Sequence, residues 1–161
     1  MISLKQKSKG FTIVELLIVI VVIAILATLV IVTFTGIQQK ARDSKRQTDI
    51  DAVDSHLEAF YASNGYYPTL AALQDPSWVS SNMKGLDESA LADPKVPSND
   101  VSATQTGIKG AADASHYGYN TSAGSNTCTG STETDQCTGF SLTADLEAGG
   151  TFSKSSNTSG S

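Results

Sequence analysis

An α+β fold, a long amino-terminal helix packed on a small antiparallel sheet, is what this sequence predicts, and three observations carry it. Residues Phe11 to Phe34 are almost wholly apolar, residues 36 to 65 carry a one-sided helical pattern, and from Tyr117 onward short segments alternate. The 161 residues suffice for one modest globular domain beside a long helix.

The apolar stretch organises the chain. From Leu16 to Val32 its only polar side chain is Thr28, and it has no polar stripe of the kind that marks a surface amphipathic helix. As a helix rising about 1.5 Å per residue, Phe11 to Phe34 spans roughly 36 Å, enough to cross a hydrocarbon core of about 30 Å with some tilt. Lipid, or a fully apolar protein surround, is its solvent.

Glu15 is the anomaly, because an acidic side chain at membrane depth costs about 2.5–3.5 kcal/mol even on lenient insertion scales. One account is an acid near the helix start that snorkels to the headgroups and gains from the helix dipole. Another is an acid that meets a cationic partner. Before it, Met1 to Gly10 is polar, carries Lys5, Lys7 and Lys9, and ends on a glycine abutting the apolar run. A secretory signal has its small-residue cleavage site after the apolar region. Here Ala24 and Ala27 sit inside the run, and the apolar character continues past both.

Lys9-Gly10, then Phe11-Thr12, then Glu15 four residues after the phenylalanine, then a long apolar helix: this pattern resembles the prepilin signature of type IV pilins and type II secretion pseudopilins. The resemblance is most specific over residues 9 to 34, and a later Asn64-Gly65-Tyr66-Tyr67-Pro68-Thr69 run adds to it less specifically. It implies a type IV pilin-like fold and a membrane-embedded aspartyl peptidase that cuts between Gly10 and Phe11 and methylates the new amino terminus on Phe11. Glu15 then corresponds to the family's acid at the fifth position of the trimmed chain. In a filament, the amine of an incoming subunit could neutralise its neighbour's Glu15, an attraction far stronger in a low-dielectric setting than in water. Many pilins of the best-known subclass have a proline late in the apolar segment. Here Val32 stands at that place, Pro68 is the first proline, and Gly36 is the one weak point of the helix.

The resemblance also implies partners and a location. The partners are other copies or other pilins in a filament, the prepilin peptidase, and a membrane platform with an ATPase motor. The location is the cytoplasmic membrane, spanned once with the carboxy-terminal domain outside the cytoplasm, and after assembly a surface or envelope-spanning filament. Charge does not settle this topology, since Lys40, Arg42, Lys45 and Arg46 follow the apolar run as the three leader lysines precede it. The expected divisions are a leader (1–10), a transmembrane and assembly helix (11–35), its amphipathic continuation (36–65), and a small soluble domain with a flexible tail (66–161).

In the continuation, Ile50, Val53, Leu57, Phe60 and Tyr61 recur at helical spacing, so their stripe belongs on the sheet. Asp49, Asp51, Asp54 and Glu58 take other positions, facing solvent or neighbouring subunits. Asn64-Gly65 stops the helix. Residues 66 to 115 read as an irregular connection, punctuated by Pro76, Pro94 and Pro97, with short helical pieces at Thr69–Leu73 and Glu88–Ala92. Trp78 is expected to plug the small core. Strands are expected at Tyr117–Thr121, Phe140–Leu146 and Gly150–Phe152, with Phe140, Leu142, Ala144 and Leu146 on one face. Ser153–Ser161 is expected to fray.

Cys128 and Cys137 are the only cysteines, and in an exported domain with a thin core they are expected to form a disulfide. No Cys-x-x-Cys spacing suggests redox work, and two cysteines alone make an incomplete metal site. No cofactor or metal is expected: calcium wants six to eight oxygen ligands, and the loop between the cysteines offers only Glu133 and Asp135 as carboxylates.

No enzyme is expected either. Asp49, Asp51, Asp54 and His56 are the densest titratable cluster but spread over two helical faces, and His116 has no evident nucleophile partner. Neither a Gly-x-Ser-x-Gly elbow nor a phosphate loop occurs. Net charge is −5, becoming −8 if the three leader lysines are lost, and after Arg46 four lysines face fourteen acids. That balance speaks against general nucleic-acid binding, which rests on phosphate neutralisation. A structural filament subunit is the expected function. The alternatives are a pseudopilin of a secretion or competence apparatus and, from another class, a signal-anchored surface protein that binds a ligand.

Overall fold

The computed structural model describes residues 10–96, 107–122, 128 and 136–156. They fall into two units, divided between Gln38 and Gln39. Helix α1 (Ile13–Asn64) belongs to both and runs without interruption through Gly36. Among the described residues it is the one helix long and apolar enough to cross a membrane.

In the first unit α1 is a bare apolar rod. Side chains that would fill the core of a soluble protein, such as Ile13, Leu16, Ile23 and Leu29, are all more than half exposed. The hydroxyls in this stretch are satisfied by the helix itself: Thr28 donates to the Ile25 carbonyl at 2.7 Å and Thr33 to that of Leu29 at 2.7 Å. Neither therefore presents an unmet polar group to an apolar surround.

In the second unit the helical stripe does what its spacing predicts. Ile50, Val53 and Leu57 are fully buried and Phe60 nearly so. The helix ends at Gly65, whose φ of +80° is a left-handed conformation that glycine adopts without a Cβ penalty. Its N–H donates to the Tyr61 carbonyl at 2.7 Å.

Three short turns of helix follow, each started by a side-chain cap. Thr69 caps α2 (Leu70–Gln74), Asp75 caps α3 (Pro76–Asn82), and Asp87 caps a 3-10 turn (Glu88–Leu91). They bring Leu73, Val79 and Leu91 into the core. Helix α3 departs from the expected irregular connection. Pro76 starts it rather than breaking the chain, because at the first helical position the missing N–H costs nothing. Trp78 lies at the core's edge, 5.4 Å from the Phe60 ring, and is only partly buried. The centre is filled instead by Tyr67, Tyr117 and Tyr119.

The sheet has four strands in the order β1 (Ile108–Lys109), β2 (Tyr117–Ser122), β3 (Gly139–Asp145) and β4 (Thr151–Ser155). The expected antiparallel pairings are present, β2 with β3 and β3 with β4. The two-residue β1 adds to β2 in parallel, Ile108 opposite Tyr117, so the sheet is mixed. On β3, Phe140, Leu142 and Ala144 face inward as their alternation predicts, while Leu146 lies past the strand's end. Ser153–Ser155, expected to fray, are paired in β4; residues 157–161 lie outside the described residues.

Candidate functional site at the helix start

The first helical turn is built by a reciprocal cap. Thr12 Oγ1 accepts from the Glu15 N–H at 3.2 Å, and Glu15 Oε2 accepts from the Thr12 N–H at 2.9 Å and its hydroxyl at 2.8 Å. This is the Ser/Thr-x-x-Glu capping box, which satisfies two otherwise orphaned backbone donors. Glu15 therefore has a partner within its own chain, one that Thr12-Ile13-Val14-Glu15 spells out and that a charge-only view of Glu15 misses.

The cap also fixes where the helix stops. Gly10, Phe11 and Thr12 lie outside α1, Phe11 is 82% exposed, and among the described residues beyond its chain neighbours none has an atom within 4 Å of where a Gly10 Cβ would sit. The Gly10–Phe11 bond is thus non-helical, with no described residue crowding it. The leader, residues 1–9, lies outside the described residues.

In the second unit, the acids expected on solvated faces do not converge on a site. Asp51 pairs with Lys154 at 2.9 Å, and His56 Nδ1 bonds the Ala52 carbonyl at 2.9 Å. Burial raises the pKa of Asp54. Asp49 departs from expectation: it is 3% exposed and accepts from Lys45 and from the Tyr117 hydroxyl, the latter at 2.9 Å. Burial, then the Asp49 carboxylate, pushes the Tyr117 phenol well above its usual range. His116 Nδ1 lies 2.8 Å from Asp113. Burial opposes the charge on Asp113, but His116 and the Ser115 N–H outweigh it and draw its pKa down to about 2. Among the described residues no group of three or more His, Cys, Asp or Glu is placed to hold a metal. Glu133 and Asp135 lie outside them. Cys128 and Cys137 are joined in a buried disulfide with Cα atoms 5.3 Å apart.

A buried ion cluster is the feature that the sequence did not announce. Arg46, fully buried, makes a two-pronged contact with Asp93 (2.6 and 3.0 Å) and also reaches Asp43 at 2.7 Å and Glu147 at 3.0 Å. Glu147 in turn takes both prongs of Arg42 (2.6 and 2.7 Å) and Lys95 at 3.0 Å. The Arg42 hydrogen bond, against some burial, holds the Glu147 carboxyl far below the usual range. Burial works against the charge on Asp43, but the Glu147 and Ala148 N–H groups (2.8 and 3.0 Å) and Arg46 prevail and lower its pKa. Three cations meet three anions, so Arg42 and Arg46, which look from the sequence like a positive flank of a membrane segment, are neutralised by carboxylates, Arg46 inside the domain and Arg42 at the cluster's outer side. One signal was legible: positions 43, 46, 50, 53, 57 and 60 share one helical face, so Asp43 and Arg46 continue the buried stripe.

The pattern describing the prokaryotic N-terminal methylation motif matches residues 5–31. The chain is 36% identical over 66 residues to type II secretion system core protein G of Dickeya chrysanthemi, covering 41% of this chain and 43% of that protein. It is 39% identical over 64 residues to the Escherichia coli K12 protein of the same name (40% and 44%). To the type IV major pilin protein PilA of Myxococcus xanthus it is 31% identical over 65 residues (40% and 30%). The chain thus spans less than half the length of these relatives. No solved structure matches it. The start of this chain, which carries the capped apolar helix, matches the prokaryotic N-terminal methylation motif.

Proposed function

We propose that the protein is the precursor of a structural subunit of a type IV pilus-like filament, which is held in the cytoplasmic membrane by α1, trimmed, and polymerised through that helix. The observation that carries this reading is a helix whose apolar side chains are exposed all round, joined to a folded domain with a core of its own. Such a rod needs lipid before assembly and other helices after it. Helix packing replaces lipid contact, so moving between the two surrounds changes apolar burial little, and assembly is reversible in principle.

In this proposal residues 1–10 are the leader, residues 11–35 span the membrane and assemble, residues 36–65 continue the helix, and residues 66–161 form the outward domain. The peptidase cuts the Gly10–Phe11 bond and methylates Phe11. Glu15 receives the cationic amine of a neighbouring subunit, which must compete with or add to the bonds from Thr12. A membrane platform and motor drive the cycle. A pseudopilin in a secretion apparatus is the second reading, favoured by identities of 36% and 39% to two core G proteins against 31% to the pilin.

The test separates the two roles of Glu15. Glu15→Gln keeps the acceptor that a capping box needs but removes the charge, whereas Glu15→Ala removes both. If charge pairing orders the filament, both variants insert in the membrane and both fail to enter sheared filaments. Normal incorporation of Glu15→Gln would refute the pairing.

A further inference from the structure

We propose that the β3–β4 turn and strand β4 form a latch that opens as one unit while the rest of the domain stays folded, with the Glu147 carboxylate as its fastener. Among the described residues strand β4 is the sheet's outer edge, paired only with β3. None of its five residues is buried, and its single apolar side chain, Phe152, is only partly covered by the core. Segments with few buried apolar contacts open at low free energy relative to global unfolding.

Apart from the partial packing of Phe152, the ties of this segment to the helix are ionic and clustered at two points. At the turn, Asp43 accepts from the backbone N–H groups of Glu147 and Ala148, and the Glu147 side chain gathers Arg42, Arg46 and Lys95. At the far end, Lys154 reaches Asp51 on α1. Between the points the chain passes through Gly149 and Gly150, with φ of +95° and +87°, which regain more backbone freedom than other residues when released. The core under β2 and β3 is of another kind: Tyr117, Tyr119, Phe140 and Leu142 are buried against Ile50, Val53 and Leu57. Losing the turn's ions removes nothing from that core. An open latch leaves the outer edge of β3 unpaired, a template for pairing with another chain.

The experiment is amide hydrogen exchange by mass spectrometry on the full chain in detergent, comparing residues 146–156 with β2 and with residues 50–60 of α1. In the native protein the 146–156 segment exchanges faster than β2. Glu147→Gln, which keeps shape and removes charge, speeds exchange in 146–156 by about tenfold or more, as loss of charge-assisted hydrogen bonds requires, and leaves β2 unchanged. Arg42→Gln, a substitution on the outer side of the cluster, gives the same selective pattern in a variant whose core is untouched. Acceleration of all three regions together would overturn the proposal, because the segment would then open only with the domain. No acceleration in either variant would overturn it equally, because the ions would not be what holds it.

Discussion

Arg46→Met is the sharpest perturbation of the folded domain. The side chain is fully buried and its main partner, the Asp93 carboxylate, is 1% exposed, with the two joined at 2.6 and 3.0 Å. Methionine replaces the volume but leaves Asp43 and Asp93 without their cation. Removing one partner of a buried pair costs about 3–5 kcal/mol, a large part of the ~5–15 kcal/mol that usually holds a domain together. At about 3 °C per kcal/mol for a domain of this size, Tm falls by about 10–15 °C.

The loss also depends on pH, with a definite sign. In the native protein Asp43 has a depressed pKa, so its contribution is present at neutral pH and is lost only as pH falls through the folded value. In the variant, Asp43 loses Arg46 while the burial that opposes its charge remains, so its folded pKa rises and the folded state binds a proton more readily. The stability gap between variant and native protein therefore narrows as pH drops from about 7 to about 5. Urea unfolding of the full chain in detergent, followed by the fluorescence of the single tryptophan, Trp78, measures both quantities. Replacing the pair by apolar residues, Arg46→Met with Asp93→Leu, recovers much of the loss, since the desolvation cost of the carboxylate goes with it. A loss under about 1 kcal/mol, or a gap that does not move with pH, would refute the burial and pairing inferred for Arg46.

Three further outcomes follow from the geometry. Gly118→Ala places a Cβ 2.3 Å from the Ala112 nitrogen and 2.5 Å from Thr143 Oγ1, so the loop over β2 must shift; a loss of about 3 kcal/mol in the same unfolding assay is expected. Cys128→Ser opens the short loop closed at Cys137 and costs about 2–3 kcal/mol, which a reducing agent reproduces in the native protein but not in the variant. Gly10→Val puts a branched side chain beside the bond proposed for cleavage, and the protein stays at precursor length on gels; mature-length product would count against that bond.

Long-period features were legible in the sequence because one physical requirement dominated each. Sixteen consecutive side chains without a charge between Leu16 and Ile31 admit only an apolar surround. The stripe through Ile50, Val53, Leu57 and Phe60 and the alternation of Phe140, Leu142 and Ala144 each name a buried face. Gly36 did not interrupt α1, since one glycine costs only about 1 kcal/mol in a helix of 52 residues. What escaped detection depended on distant partners or on short geometry. Asp49 is buried because Tyr117, far along the chain, brings a hydroxyl to it, and Arg46 because Asp93 and Glu147 arrive from separate loops. Helix α3 was hidden because Pro76 reads as a breaker until Asp75 is seen to cap it, and β1 is two residues long. At the helix start the capping box is local and is written in Thr12 and Glu15.

In the proposed function this chain is made as a precursor and trimmed to expose Phe11 at the head of the apolar helix. The mass of the amino-terminal peptide of native protein isolated from its own cells decides whether that trimming occurs. The expected peptide begins at Phe11 and carries one added methyl group on its amine. A native protein that still begins at Met1, with residues 1–10 intact, would contradict it.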